Sequence, residues 1–176
     1  IDFNNNKVIL LTAHRRENWG EPMKNIFAAV REVAEQNKDV QIIFPMHKNP
    51  LIRDLARESF KGIENKVALI EPLEYVDFAN LMNKCYLIMT DSGGIQEEAP
   101  ALGKPVVVLR TETERPEAVK AGTVKLAGVE RNKIFEITNE LVIDDLEYHK
   151  MAHAINPYGD GKACERIVEL IVKHFE

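Results

Sequence analysis

Tyr86-Leu87-Ile88-Met89-Thr90-Asp91-Ser92-Gly93-Gly94-Ile95-Gln96-Glu97-Glu98 is the stretch that decides the fold. A short run that is apolar without alternation ends on polar Thr90, passes a tight turn and opens into a helical segment. Runs of this kind are strands buried on both faces, as in a parallel sheet covered by helices. The same reading recurs along the chain, predicting six strands at 7–12, 40–45, 67–70, 86–90, 105–109 and 123–126. Between them, amphipathic spacing at 23–36, 51–60 and 76–83 predicts crossover helices; on the first, Ile26, Phe27, Val30, Val33 and Ala34 share one face. Val8, Val40 and Val67 begin runs 32 and 27 residues apart, room for the long crossover that parallel neighbours require.

Beyond Leu126 the pattern turns helical, at 132–141, 146–154 and 162–174, the last preceded by the loop Asn156-Pro157-Tyr158-Gly159-Asp160-Gly161. No repeat or linker divides the 176 residues. The expectation is therefore one α/β domain over 1–176: a Rossmann-like parallel sheet of about six strands, helices on both faces and a helical carboxyl-terminal tail. Ligands of such sheets bind outside the carboxyl ends of the strands, so function should gather in the strand-to-helix loops.

Composition bounds the partners. Net charge is −5 with no long run of like charge, which argues against a nucleic acid or an anionic membrane surface. The longest apolar runs are four residues, against roughly 20 for a bilayer span, so neither a transmembrane helix nor a signal peptide is expected. Cys85 and Cys164 are the two cysteines and form no CxxC, which suggests neither a disulfide framework nor a zinc site and points to a reducing, cytoplasmic setting. The chain opens on Ile1-Asp2-Phe3 and reads as a piece of a longer protein.

Three loops carry chemistry. After the fourth predicted strand, Ser92, Gly93 and Gly94 open a helix where backbone N–H groups, the helix dipole and the Ser92 hydroxyl can meet an anion such as a diphosphate. Neither GxGxxG nor GxxxxGK[ST] is present, so a nicotinamide or ATP site is not supported. A double glycine can also be only a tight turn. Glu97 and Glu98 lie about 100° apart on a helix, so only one can face a pocket and accept from a ribose diol. After the first strand, His14-Arg15-Arg16-Glu17-Asn18 offers cations for an anion and an imidazole that can exchange a proton with a departing phosphate oxygen. The structural alternative pairs Glu17 with an arginine and leaves His14 shaping the loop. His47, after the second strand, reads either as loop structure or as a ligand contact. After the fifth strand, Pro116 suits the first position of a helix, and Arg115 before it reaches either a ligand or an acidic neighbour. Phe78 reads first as core, with base stacking as the alternative. His149 and His153 have i, i+4 metal spacing but lack the glutamate of HExxH and read as surface histidines.

Taken together, Thr12-Ala13-His14-Arg15-Arg16-Glu17-Asn18, the Asp91 to Pro100 run, Gly103-Lys104-Pro105-Val106, Thr113-Glu114-Arg115-Pro116-Glu117 and the loop at 156–161 resemble the non-hydrolysing UDP-N-acetylglucosamine 2-epimerases. The resemblance runs through almost the whole chain, which corresponds to the carboxyl-terminal half of that family's two-domain enzyme, one lobe of a GT-B-like fold. It implies reversible conversion of UDP-GlcNAc to UDP-ManNAc by elimination and re-addition of UDP, with no cofactor and no obligatory metal. It assigns His14 to the departing UDP, Ser92, Gly93 and Gly94 to the diphosphate, Glu98 to the ribose, Phe78 to uracil and Arg115 to a further substrate contact. Arg15 and His47 correspond to contacts of an activating second UDP-GlcNAc. It further implies an absent amino-terminal domain carrying the carboxylates that work at C2 of the sugar, a homodimeric full-length enzyme, and a fragment inactive alone. Two other readings stand beside it: the donor-binding domain of a GT-B glycosyltransferase, and a non-catalytic UDP-binding module.

Overall fold

In the computed structural model, which describes residues 1–175, six parallel strands form one sheet. They are β1 (Lys7–Thr12), β2 (Val40–Pro45), β3 (Val67–Ile70), β4 (Leu87–Thr90), β5 (Val106–Val108) and β6 (Val124–Leu126). Their spatial order is β3-β2-β1-β4-β5-β6. The eight α-helices are α1 (Glu21–Gln36), α2 (Pro50–Ser59), α3 (Tyr75–Lys84), α4 (Gly93–Ala101), α5 (Pro116–Ala121), α6 (Arg131–Ile143), α7 (Asp145–Ala152) and α8 (Ala163–Phe175). The expected class holds, and element ends differ from the expected ones by one or two residues. Helix α2 shows why such ends shift: Asn49 caps it by accepting from the Leu51 N–H, and Pro50 occupies the first turn, where its missing N–H costs no hydrogen bond.

The unbroken apolar character of the strands follows from two cores, one on each face. Ile9, Leu11, Ile42, Phe44, Leu87, Met89 and Val107 point to one side, against α1, α2, α6 and Met151 of α7. Val8, Leu10, Ile43, Ile88, Val106, Val108 and Val124 point to the other, against Met82 of α3, Ala99 of α4 and Ala118 of α5. Alternate residues of a strand thus feed alternate cores. Phe27 of α1 centres the first core, edge-on to Phe44 and tilted against Phe60. Each large side chain fully buried in this way contributes roughly 1.5–3 kcal/mol.

The sheet reverses direction of growth between β1 and β4: from β1 the chain builds outward through β2 and β3, then returns to start β4 on the other side of β1. A crevice opens outside the carboxyl ends of two strands whose connections diverge, so this is where an open α/β sheet takes a ligand. Thr12 and Thr90 face each other across the junction, with hydroxyls 2.6 Å apart.

Of the carboxyl-terminal helices, α6 and α7 pack on the first core and α8 joins neither. Helix α8 has no buried residue and leaves Ile167, Leu170 and Ile171 more than half exposed. Among the described residues, no helix is long and apolar enough to cross a membrane.

Candidate functional site

The loops after β1, β2 and β3, with α3 and the first turn of α4, converge on a cleft of about 400 Å³ outside the carboxyl ends of the strands, bounded by Thr12, His14, His47, Leu73, Phe78 and Ile95. The structure therefore brings together three sequence-selected residues from three different loops or helices. His14 and His47 stack, ring centroids 5.8 Å apart and planes 15° from parallel. Phe78 is half-buried: it packs against the second core and also lines the cleft, so both of its sequence readings apply.

Asp91 builds the His14 loop. Its side chain is 0% exposed, and Oδ2 accepts from the backbone N–H of His14 at 2.9 Å, the N–H of Arg15 at 2.8 Å and Nδ2 of Asn18 at 3.2 Å. Asn18, also buried, donates in addition to the Leu109 carbonyl at 3.1 Å, so one amide ties the loop after β1 to the end of β5. The segment Arg16–Asn18 forms a short 3-10 turn beneath these bonds, which the sequence reading did not anticipate. A buried carboxylate with three donors is strongly held, and it orders a loop that would otherwise be free.

Helix α4 begins where β4 ends. Ser92 precedes it, with its N–H bonded to the Thr90 hydroxyl, while its own side chain makes no cap. Gly93 and Gly94 occupy the first two helical positions, and neither has a positive φ. A Cβ on Gly93 would meet only Nη2 of Arg15 at 3.7 Å, and one on Gly94 only Oε1 of Glu98 at 3.8 Å, both ordinary contacts with side-chain ends. Neither backbone conformation nor internal packing therefore requires glycine here. The free N–H groups of the first turn, with no side chain in front of them, make an open anion seat.

Glu98 lies one turn further along α4 and accepts from the Tyr75 hydroxyl at 3.3 Å, joining α4 to the helix that carries Phe78. Glu97 points elsewhere and forms an ion pair with Arg115, separating the two neighbouring glutamates as helical geometry demands. That hydrogen bond to Glu97 raises the pKa of Arg115. Arg115 does not line the cleft; of the two readings of its sequence, the structure displays the acidic neighbour. Glu17 likewise pairs with an arginine, and the partner is Arg110 at 2.8 Å rather than one of its loop neighbours. Arg110 also binds Glu114, whose carboxyl is held down to about 2 by the hydrogen bond from Arg110, with Arg15 at 3.6 Å adding its charge.

Gln96 is fully buried, and nothing in its local sequence marks it for a role. Its Oε1 accepts from the Thr113 hydroxyl at 2.6 Å and its Nε2 donates to the Ser92 carbonyl at 3.2 Å, fastening the loop after β5 to the start of α4. Asp91 carried a usable signal, being an acidic residue directly after the apolar run of β4, where burial without a partner would be costly; Asn18, in the turn after β1, and Gln96, within α4, carried none. His149 and His153 are exposed and stack on each other, and among the described residues no group of three or more His, Cys, Asp or Glu is placed to hold a metal ion.

The cleft thus offers an aromatic wall and two imidazoles, and through Ile95 it adjoins the open start of α4, with Glu98 one turn further along that helix. Comparison with known proteins identifies the family. The family profile described as UDP-N-acetylglucosamine 2-epimerase matches residues 1–172. A UDP-N-acetylglucosamine 2-epimerase of Bacillus subtilis is 55% identical over 169 residues, covering 96% of this chain and 44% of that protein. The Staphylococcus aureus MnaA–UDP co-structure superposes with a TM-score of 0.92 at 51% identity, over 98% of this chain and 47% of the other. The UDP-GlcNAc 2-epimerase of Neisseria meningitidis bound to UDP-GlcNAc superposes at 0.89 with 50% identity, over 97% and 46%. The chain spans about half the length of the relatives it matches.

Proposed function

The chain belongs to the UDP-N-acetylglucosamine 2-epimerase family, and on that premise we propose that it is the UDP-binding half of an enzyme interconverting UDP-GlcNAc and UDP-ManNAc. In this reading the C1–O bond to UDP breaks with its electron pair passing to the β-phosphate oxygen, while a base takes the C2 proton and a C1=C2 double bond forms. Re-addition of UDP after a proton returns to the other face of C2 gives the epimer. The carboxylates acting at C2 belong to the half of the relatives that this chain does not span. The chain's own residues hold and release the nucleotide.

The observation that carries the proposal is the start of α4. Two glycines that no φ angle and no neighbouring atom require sit at a helix N-terminus beside the cleft, which suits a ligand diphosphate approaching the backbone closely. Ser92 supplies a hydroxyl to the same group. Glu98 on the next turn is the acceptor for the ribose diol, and Phe78 stacks on uracil. Arg115 reaches the ligand by exchanging Glu97 for phosphate. His14, at the end of β1, gives a proton to the departing UDP and takes it back on return. His47, which lines the cleft, and Arg15, whose guanidinium lies near Gly93 and Glu114, form this half's share of a site for a second, activating UDP-GlcNAc.

Calorimetric titration of the chain with UDP and with UMP tests the reading. UDP is expected to bind more tightly than UMP, and Ser92→Ala and Glu98→Ala to weaken UDP binding. No detectable UDP binding, or variants that bind as the parent does, would refute it.

A further inference from the structure

Asp91 spends only one of its two oxygens on the loop. Oδ2 takes all three donors, from His14, Arg15 and Asn18, and leaves Oδ1 buried with no hydrogen-bond partner among the described residues. A buried carboxylate oxygen without a donor is uncommon enough to need a reason. Oδ1 lies 3.3 Å from Nδ1 of His14, close enough for a bond but outside hydrogen-bond alignment. The neighbouring groups are otherwise engaged. Nδ1 of His47 accepts from the Asn49 N–H at 3.1 Å, Arg15 faces Glu114, and the Thr12 and Thr90 hydroxyls bind each other.

We propose that Asp91 is a positioning residue for His14: its Oδ1 accepts the Nδ1–H of His14 and so selects the ring tautomer whose Nε2 is free to work in the cleft. The role rests on the reading of His14 given above. One carboxylate then performs two tasks with separate oxygens. Oδ2 places the backbone of residue 14, and Oδ1 sets the orientation and proton placement of the side chain on that backbone. His47, stacked on the imidazole, limits the rotation that would break the contact. A neutral imidazole carries its proton on one nitrogen, and a hydrogen bond at Nδ1 decides which. With the proton held at Nδ1, Nε2 gains and loses a proton reversibly, which elimination and re-addition of a phosphate leaving group both require. With Nδ1 instead accepting a bond, Nε2 would hold its proton permanently and could only donate a hydrogen bond.

The experiment is a long-range proton–nitrogen correlation spectrum of the ¹⁵N-histidine-labelled chain above the ring's titration, with the His14 signals assigned by their loss in His14→Gln. The expected result is the Nδ1–H tautomer for His14 in the parent chain, against the Nε2–H form that free histidine favours. In Asp91→Asn the carboxamide oxygen can still serve the loop while its NH₂ faces Nδ1, so His14 is expected to lose the Nδ1–H form and become Nε2–H. A merely structural Asp91 would not move this signature in a folded variant. His14 found as Nε2–H in the parent chain overturns the proposal without recourse to any variant, and so does an unchanged Nδ1–H form in folded Asp91→Asn. Adding UDP to the same samples separates the two readings. A parent chain that ignores UDP yet shows the Nδ1–H form refutes the nucleotide site and leaves the Asp91–His14 pair standing.

Discussion

Substituting Gly94 by alanine separates a glycine kept for the fold from one kept for a ligand. Gly94 is exposed in the first turn of α4, has no positive φ, and its added Cβ would lie 3.8 Å from the Glu98 carboxylate and within 4 Å of nothing else. Alanine restricts the unfolded chain and favours the helix, so the variant is expected to gain roughly 0.5–1 kcal/mol. For a domain of this size a gain of that order raises Tm by about 1–4 °C. The same methyl group stands in front of the N–H groups that we assign to the diphosphate. Displacing one hydrogen bond to a charged group costs about 1.5–3 kcal/mol, which is about 10- to 150-fold in Kd. Thermal unfolding and UDP calorimetry on one preparation of Gly94→Ala therefore move in opposite directions: a more stable protein that binds UDP more weakly. A variant that melts several degrees lower would mean that the glycine serves the fold. One that binds UDP as tightly as the parent would mean that the diphosphate does not approach this turn.

Two further outcomes follow from the environments of single groups. Cys85 is 1% exposed and its thiol is pushed up to about 12 by burial, whereas Cys164 is exposed; a thiol-specific reagent at pH 8 should titrate one fast equivalent in the folded chain and the second only on unfolding, and two equally fast equivalents would contradict the packing around Cys85. Glu114 is depressed in the folded state to about 2 from an ordinary 4.5 by its hydrogen bond from Arg110, so its contribution to stability is fully present above about 4.5 and is lost as pH falls toward about 2. Its half-exposed position keeps that contribution modest. Urea midpoints of Glu114→Gln should accordingly depend less steeply on pH across that interval than those of the parent, and parallel curves would remove the ion pair from the account.

The chain's local patterns were sufficient for its elements because each pattern is written within a dozen residues. The apolar runs at 7–12 and 86–90 announce strands buried on both faces, Pro116 announces a helix start, and Gly93-Gly94 after Thr90 announces an open first turn. The motif set was likewise sufficient to place the chain in its family before any coordinates. What periodicity does not encode is which elements meet. Six parallel strands can be ordered in many ways without altering a single residue's inward or outward preference, and it is the packing of two cores that puts β4 beside β1 and makes the crevice. The same holds for partners far apart in sequence. Glu17 was read with an arginine but finds it 93 residues away in Arg110, and Glu97 finds Arg115 across the start of α4. Asp91, an unremarked residue before a glycine pair, becomes the anchor of a loop 77 residues upstream because β1 and β4 end side by side. Hydrophobic spacing is a property of a segment, whereas a buried carboxylate's partners are chosen by the three-dimensional register that brings donors to it. That is why the sequence alone determined the class and the family and pointed to the strand-to-helix loops, while only the tertiary structure decided that Asp91 stands against His14.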